Sequence, residues 1–453
     1  MAHDHSPMIN GKEDLVAWFE AGETPADQWR IGTEHEKLLF AQKTHQRPSY
    51  EEEHGVGALL KGLAESHHWT PITEGEFIIG LKDSHGGSIT LEPGGQFELS
   101  GAPLENLHQT CQETNRHLKD MRKATSEIGL GMLGVGFDPV WRREDIPWMP
   151  KGRYAIMRRH MPKVGSLGLD MMQRTTTIQV NLDYASERDM ARKFRVSLAL
   201  QPVATALFAN SPFREGRPTG LLSTRAEAWT DTDDARCGIP ACVFDPDFGY
   251  EQWVDYILDV PMYFLHRGES YIDVAGLSFR DFMAGRLPGH EGELPTMADW
   301  EDHVTTAFPE VRLKQYLEMR GADGGPWNMI CALPALWTGL LYDSDALEAA
   351  EELAADLGAE DIAAARMSVA RHGLKGRLGD RDVGDIARSM VDIARRGLHR
   401  RQITDSAGND ETGFLDPLHA IAESGTTRAE TLLESYHGKW DEDIHRIYTE
   451  FQF

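Results

Sequence analysis

Four short stretches of the chain alternate apolar and polar residues with a period of two, the spacing of a strand whose side chains point to opposite faces. In the first, Ile31, Thr33, His35, Lys37 and Leu39 fall on one face and Glu34, Glu36, Leu38 and Phe40 on the other. In the second, Gln96, Glu98 and Ser100 oppose Phe97 and Leu99, and Pro93-Gly94-Gly95 interrupts the run, which predicts a bulge or bend between Glu92 and Glu98. The third is the cleanest, with Thr177, Gln179, Asn181 and Asp183 set against Ile178, Val180, Leu182 and Tyr184. The fourth runs from Arg312 to Arg320 and places Glu318 and Arg320 together, just ahead of the turn-rich Gly321-Ala322-Asp323-Gly324-Gly325-Pro326. Together they predict an antiparallel sheet with a packed apolar back and an oxygen-rich, anionic front.

Helical spacing predicts a short helix over Lys12–Glu20 and a longer one over Leu104–Ile128, where Leu104, Leu107, Cys111, Leu118 and Met121 recur on one side. A third is expected over residues 189–210, kinked or broken at Pro202. From Asp343 onward Ala, Leu, Glu and Arg recur with helical periodicity, so residues 1–340 read as a sheet domain and 341–453 as a helical region packed on its back or edge. The basic stretch from Arg371 to Arg401 reads as a solvated helix face.

Charge narrows the partners. The 453 residues carry 46 Lys and Arg against 72 Asp and Glu, a net charge of -26, which disfavours nucleic acid and anionic membranes and favours a small molecule or a metal. No apolar run reaches the length of a membrane span, and Met1–Asn10 lacks the basic and apolar regions of a signal peptide. Cys111, Cys237, Cys242 and Cys331 show no CxxC spacing, which suits a reducing cytoplasm. A cytoplasmic protein is the expectation.

The acids on the front face carry the candidate chemistry. Glu34 and Glu36 repel one another unless a cation lies between them, and Mg²⁺ takes carboxylate oxygens and recruits phosphates. A single Glu-x-Glu pair is more often a solvated strand face; recurrence of acids on the other strands is what shifts the balance. A cationic, glycine-punctuated middle contains Lys151, Arg153, Arg158, Arg159 and Lys163. It would either hold a polyphosphate or pair with the abundant acids. Arg225 lies four residues before Trp229, a pairing suited to an amino-acid carboxylate gripped by a guanidinium fork against an indole wall. There is no Walker A loop, Rossmann glycine fingerprint or GxSxG.

The blocks WRIGTEHEK (29–37), LEPGGQFELSGAPLE (91–105), MPKGRYAIM (149–157), MPKVGSLGLDMM (161–172), LALQPVATALFANSPF (198–213) and LEMRGADGGPW (317–327) resemble the plant and proteobacterial glutamate-cysteine ligases. The resemblance implies an α+β, glutamine synthetase-like catalytic fold, a curved antiparallel sheet forming a funnel with helices outside. It implies ATP-dependent joining of the glutamate γ-carboxyl to the cysteine amine through γ-glutamyl phosphate, the first step of glutathione synthesis, with Mg²⁺ or Mn²⁺ as the metal. Carried over residue by residue, Glu34, Glu36, Glu92, Glu98 and Glu318 are expected as metal-binding acids. Gln179 and Asn181 stand in the strand where distant relatives of the fold place a metal-facing His and an Asn, and glutamine is the weaker ligand. Glu318 and Arg320 are expected at the catalytic centre, with Arg320, Lys151, Arg153 and Lys163 toward ATP, and Arg225, Trp229, Arg174 and Asn181 toward glutamate.

Plant members carry two disulfides. The positions matching one pair are Val274 and Gly289, so that bridge is absent, while the other pair matches Cys111 and Cys331, which are either bridged or two free thiols. A monomer or homodimer is expected. A ligase for another amine, a guanidine phosphotransferase and a non-catalytic cation-binding module remain the alternatives.

Overall fold

The computed structural model describes residues 6–453. At its centre is a nine-stranded sheet built from β1 (Ile31–Ala41), β2 (Thr70–Glu74), β3 (Phe77–Lys82), β4 (Ser88–Leu91), β5 (Gln96–Ser100), β6 (Leu130–Leu133), β7 (Thr177–Leu182), β8 (Val311–Leu313) and β9 (Leu317–Asp323). The order is β8-β9-β7-β1-β5-β4-β3-β2, with β6 alongside the far end of β1, and every pairing is antiparallel. The end strands β8 and β2 do not pair with one another, so the sheet is open rather than a closed barrel.

Local chemistry explains the turns. Between β4 and β5 the chain reverses over Glu92–Gly95, with the Gly95 N–H donating to the Glu92 carbonyl at 2.8 Å and Gly95 at φ +76°. A Cβ on Gly94 would collide with the Gln173 backbone, so glycine lets this turn sit against the segment leading into β7. The expected bend is a hairpin between two paired strands. The run from Arg312 to Arg320, expected as one strand, is also a hairpin, closed by Lys314 N–H donating to the Tyr316 carbonyl at 2.9 Å. That reversal puts Arg312 directly opposite Glu318. Strand β9 then slips register against β7 between Met319 and Ala322, a bulge centred on Arg320 and Gly321.

The helix Leu107–Glu127 starts at Asn106, whose side chain accepts from Gln109 N–H, and lies against β1 and β6. The helix Glu187–Leu207 runs through the core against β9 without ending at Pro202, and every residue of its second half is buried. The back of β1 departs from an apolar expectation. His35 and Lys37 are buried there, and Lys37 Nζ lies 2.9 Å from His117 Nε2. Burial pushes the Lys37 ammonium down to about 7, opposed by Glu98 and Glu36.

Residues beyond 340 share the central core: Leu347, Ile362, Ile386, Leu398 and Leu418 cluster with Val180, Leu200 and Leu336. The basic stretch is mostly ion-paired, with Arg377, Arg388, Arg395, Arg400 and Arg401 meeting Asp382, Asp385, Asp416, Asp343 and Glu411. The last segment returns to the sheet, where Leu432, Trp440 and Tyr448 cover Leu38 and Phe40. That cover explains why two apolar residues can follow Glu34 and Glu36 on the same face.

Candidate active site

Strands β9, β7, β1 and β5 form the floor of a cavity of about 410 Å³ lined by Glu34, Glu36, Glu92, Glu98, Gln179 and Glu318. Pairing sets their spacing. Glu36 stands opposite Glu98, Glu34 opposite Gln179, and Asn181 opposite Glu318. Around the floor stand Lys151, Arg153 and Tyr154 from the helix Gly152–His160 and its N-cap, Arg225 and Trp229 from Thr224–Ala228 and its C-cap, and Arg312, Lys314 and Arg320 from the β8–β9 hairpin.

The carboxyls split into two classes. Glu34 accepts from Asn181 Nδ2 at 2.7 Å, yet burial, then Glu318 and Glu98, push it up to about 7. Glu36 accepts from Thr177 N–H at 3.1 Å and is held well above the usual carboxylate range by burial, then by Glu98 and Glu92. Glu98 accepts from Thr90 Oγ1 at 2.6 Å and is raised by burial and Glu92. Glu318 goes the other way. Burial works to raise it, but Arg312 Nε at 2.6 Å, Lys314 Nζ at 3.4 Å and Arg320 Nη1 at 3.0 Å hold it well below. Three carboxyls thus lack a full counter-charge, and the fourth is surrounded by cations.

Backbone carbonyls fix Arg225 and Lys151, and side chains fix Arg320. Arg225 Nη2 donates to the Arg320 carbonyl at 2.8 Å, and its guanidinium carbon lies 5.9 Å from the Trp229 ring centre. Asp323, bonded by Ser211, Ser223 and Asn210 N–H, supplies negative charge behind it. Arg320 Nη1 also donates to Gln179 Oε1 at 2.8 Å. Lys151 Nζ donates to the Leu91 carbonyl at 3.0 Å, and burial, then Arg153, lower its ammonium to about 8.

The cavity gathers most of the expected residues. Asn181 does not line it but orients Glu34 from β7. Two residues lie outside. Lys163 is exposed in the turn Met161–Lys163. Arg174 is buried and engaged by Asp170, Glu215 and the Trp141 carbonyl, so its charge is spent on structure. Arg312, Lys314 and Tyr154 were not expected. Arg312 and Lys314 share the two-residue period of Glu318 and Arg320, so that alternation was the available signal. Tyr154 adjoins Arg153, and its hydroxyl donates to the Leu91 carbonyl at 2.6 Å.

Among the described residues no group of three or more His, Cys, Asp or Glu side chains is gathered as a ready metal site. The donor set nonetheless fits a hard cation: Glu34, Glu36 and Glu98 are carboxyls without a full counter-charge, which a divalent ion would supply. Mg²⁺ usually takes only one or two carboxylates and completes its shell with phosphate and water. Gln179 presents its carbonyl oxygen to Arg320 rather than to the open cavity. Away from the cavity, Cys111 and Cys331 are disulfide-bonded with Cα atoms 5.6 Å apart, tying the helix after β5 to the helix after β9.

Comparison with known proteins agrees with this architecture. The chain is 55% identical over 442 residues to the chloroplastic glutamate–cysteine ligase of Nicotiana tabacum, covering 98% of this chain and 83% of that one. It is 54% identical to that of Arabidopsis thaliana, over 98% and 83% of the two chains. These relatives are chloroplastic, which overturns the cytoplasmic expectation: charge and cysteine spacing carry no compartment address. A solved glutamate–cysteine ligase of Francisella tularensis, in complex with AMP, superposes with a TM-score of 0.53 at 13% identity, covering 93% of this chain and 89% of that one, and so shares the fold. Since glutamate-cysteine ligase family 2 (GCS2) matches residues 30–450, the chain belongs to that family.

Proposed function

We propose that this cavity joins the γ-carboxyl of L-glutamate to the amine of L-cysteine at the expense of ATP, through γ-glutamyl phosphate, the first step of glutathione synthesis. The observation that carries the reading is the division of one cavity into under-compensated carboxyls, Glu34, Glu36 and Glu98, and a ring of fixed cations. A divalent metal held by Glu34, Glu36, Glu92, Glu98 or Glu318, Mg²⁺ or Mn²⁺, would neutralise phosphate charge there when bound.

The chain's own groups account for the rest. The Arg225 fork grips the glutamate α-carboxylate while Trp229 walls its side. Lys151, Arg153 and Arg320 face the phosphates and stabilise charge that grows in the transition state. Glu318 holds Arg312, Lys314 and Arg320 in place. An oxygen of the γ-carboxylate attacks the γ-phosphorus and ADP leaves; the cysteine nitrogen then attacks the acyl carbon, phosphate leaves, and the nitrogen loses a proton. The apolar walls, including Tyr263, Phe264 and Phe308, keep water from the acyl phosphate.

Incubation with ATP, glutamate and single amines, with Mg²⁺, Mn²⁺ or chelator, tests this. Dipeptide and phosphate should form together, fastest with cysteine and only with metal. Equal rates with unrelated amines, or ATP consumption without dipeptide, would refute it.

A further inference from the structure

Behind Arg225 and Trp229, on the side away from the main cavity, lies a second cavity of about 10 Å³, room for one water molecule. It separates the helix Glu187–Leu207 from the β9 bulge. Gln201, Arg225 and Trp229 line it, and each carries buried polar atoms that make no hydrogen bond within the protein: both amide atoms of Gln201, Nε of Arg225 and Nε1 of Trp229. Orphaned donors and acceptors of this kind are rare in native cores, and four around one water-sized space point to a shared partner. Gly321, in the bulge, is packed against the Gln201 amide so tightly that a Cβ there would collide with it and come within 2.8 Å of Glu310 Oε2. The carbonyl just before Gly321, that of Arg320, is the one that accepts from Arg225 Nη2. The Gln201 amide therefore touches the strand that holds Arg225.

We propose that a single buried water bridges the Gln201 amide to Arg225 Nε or Trp229 Nε1, making Gln201 a positioning residue that sets the orientation of the Arg225 fork. The Arg320 carbonyl accepts from Nη2, and the water anchors Nε, leaving the remaining N–H groups for a carboxylate. This rests on the reading of Arg225 as the glutamate grip, which Arg225→Lys tests separately.

A high-resolution crystal structure of the native full chain should show a water in this cavity at about 2.7–3.2 Å from Gln201 and from Arg225 Nε or Trp229 Nε1. Gln201→Met, which keeps the volume and removes both polar atoms, should raise the KM for glutamate about fivefold, the effect of one lost hydrogen bond, while the KM for ATP changes less than about twofold. Gln201→Leu, which also removes both polar atoms and does not touch the main cavity, should shift the glutamate KM in the same direction and serves if Gln201→Met does not fold. An empty cavity overturns the water. A water that is present with an unchanged glutamate KM in both variants overturns the positioning role.

Discussion

Glu36 and Glu98 face one another directly across the β1–β5 pair, while Lys37, the residue after Glu36, is fully buried on the reverse of the sheet. Two buried carboxyls opposed on antiparallel strands cannot both ionise without cost, and burial together with neighbouring acids holds both above the usual carboxylate range. The metal-free protein therefore bears a cost at this pair that Glu98→Gln removes. The variant should be equally stable or more stable, by up to about 1 kcal/mol, yet lose ligase activity by about a hundredfold or more.

Glu34 makes the pH dependence testable. Its folded carboxyl keeps a proton up to about 7, whereas the unfolded carboxyl loses it near 4.5, so its contribution to stability falls as pH rises through that window. The buried, neutral His35 and His117 work in the opposite sense below 6.5, so the difference between native and Glu34→Gln isolates the carboxyl. Without metal, Glu34→Gln should be the more stable, by a margin that grows from pH 4.5 to 7 and levels near about 3 kcal/mol. Denaturant titrations at several pH values check it, and with Mg²⁺ and ATP added only the native protein should gain stability.

Glu318 predicts the opposite sign. Glu318→Gln leaves Arg312, Lys314 and Arg320 without their shared counter-ion in a buried site, which costs about 3–5 kcal/mol. Thermal unfolding of the two glutamine variants, Glu34→Gln and Glu318→Gln, should therefore move in opposite directions from the native midpoint.

Arg225→Lys keeps the charge but loses the fork and its bond to the Arg320 carbonyl. The KM for glutamate should rise roughly 10- to 100-fold with a much smaller change for ATP. Equal losses for both substrates would move Arg225 to the nucleotide.

The bridge between Cys111 and Cys331 closes 220 residues and joins the helices that follow β5 and β9. Cys111→Ser should lower stability by roughly 2–5 kcal/mol relative to the oxidised enzyme. Oxidised enzyme should be the more active form, and the variant should show no difference between oxidising and reducing buffers. Thiol titration alongside the assay reads both.

The strands that carry the acids were legible because one face of each is buried against the core and the other lines the cavity, which writes a period of two into the residues. The β8–β9 hairpin was not, because Lys314-Gln315-Tyr316 contains no glycine or proline to mark a turn. Lys163 and Arg174 show the limit of local charge. Lys163 lies exposed in a turn, and Arg174 is claimed by Asp170 one helical turn before it. The Lys37–His117 contact, formed across 80 residues, leaves no local trace at all.

The central claim is that the γ-carboxylate of glutamate attacks phosphorus in this cavity before the amine arrives. Glutamate labelled with ¹⁸O in its γ-carboxyl, turned over with ATP and cysteine, tests it by ³¹P NMR of the released phosphate. One ¹⁸O per phosphate is the predicted result, since that oxygen bridges carbon and phosphorus in the acyl phosphate and departs with phosphorus. Phosphate free of label, formed in step with dipeptide, would contradict it.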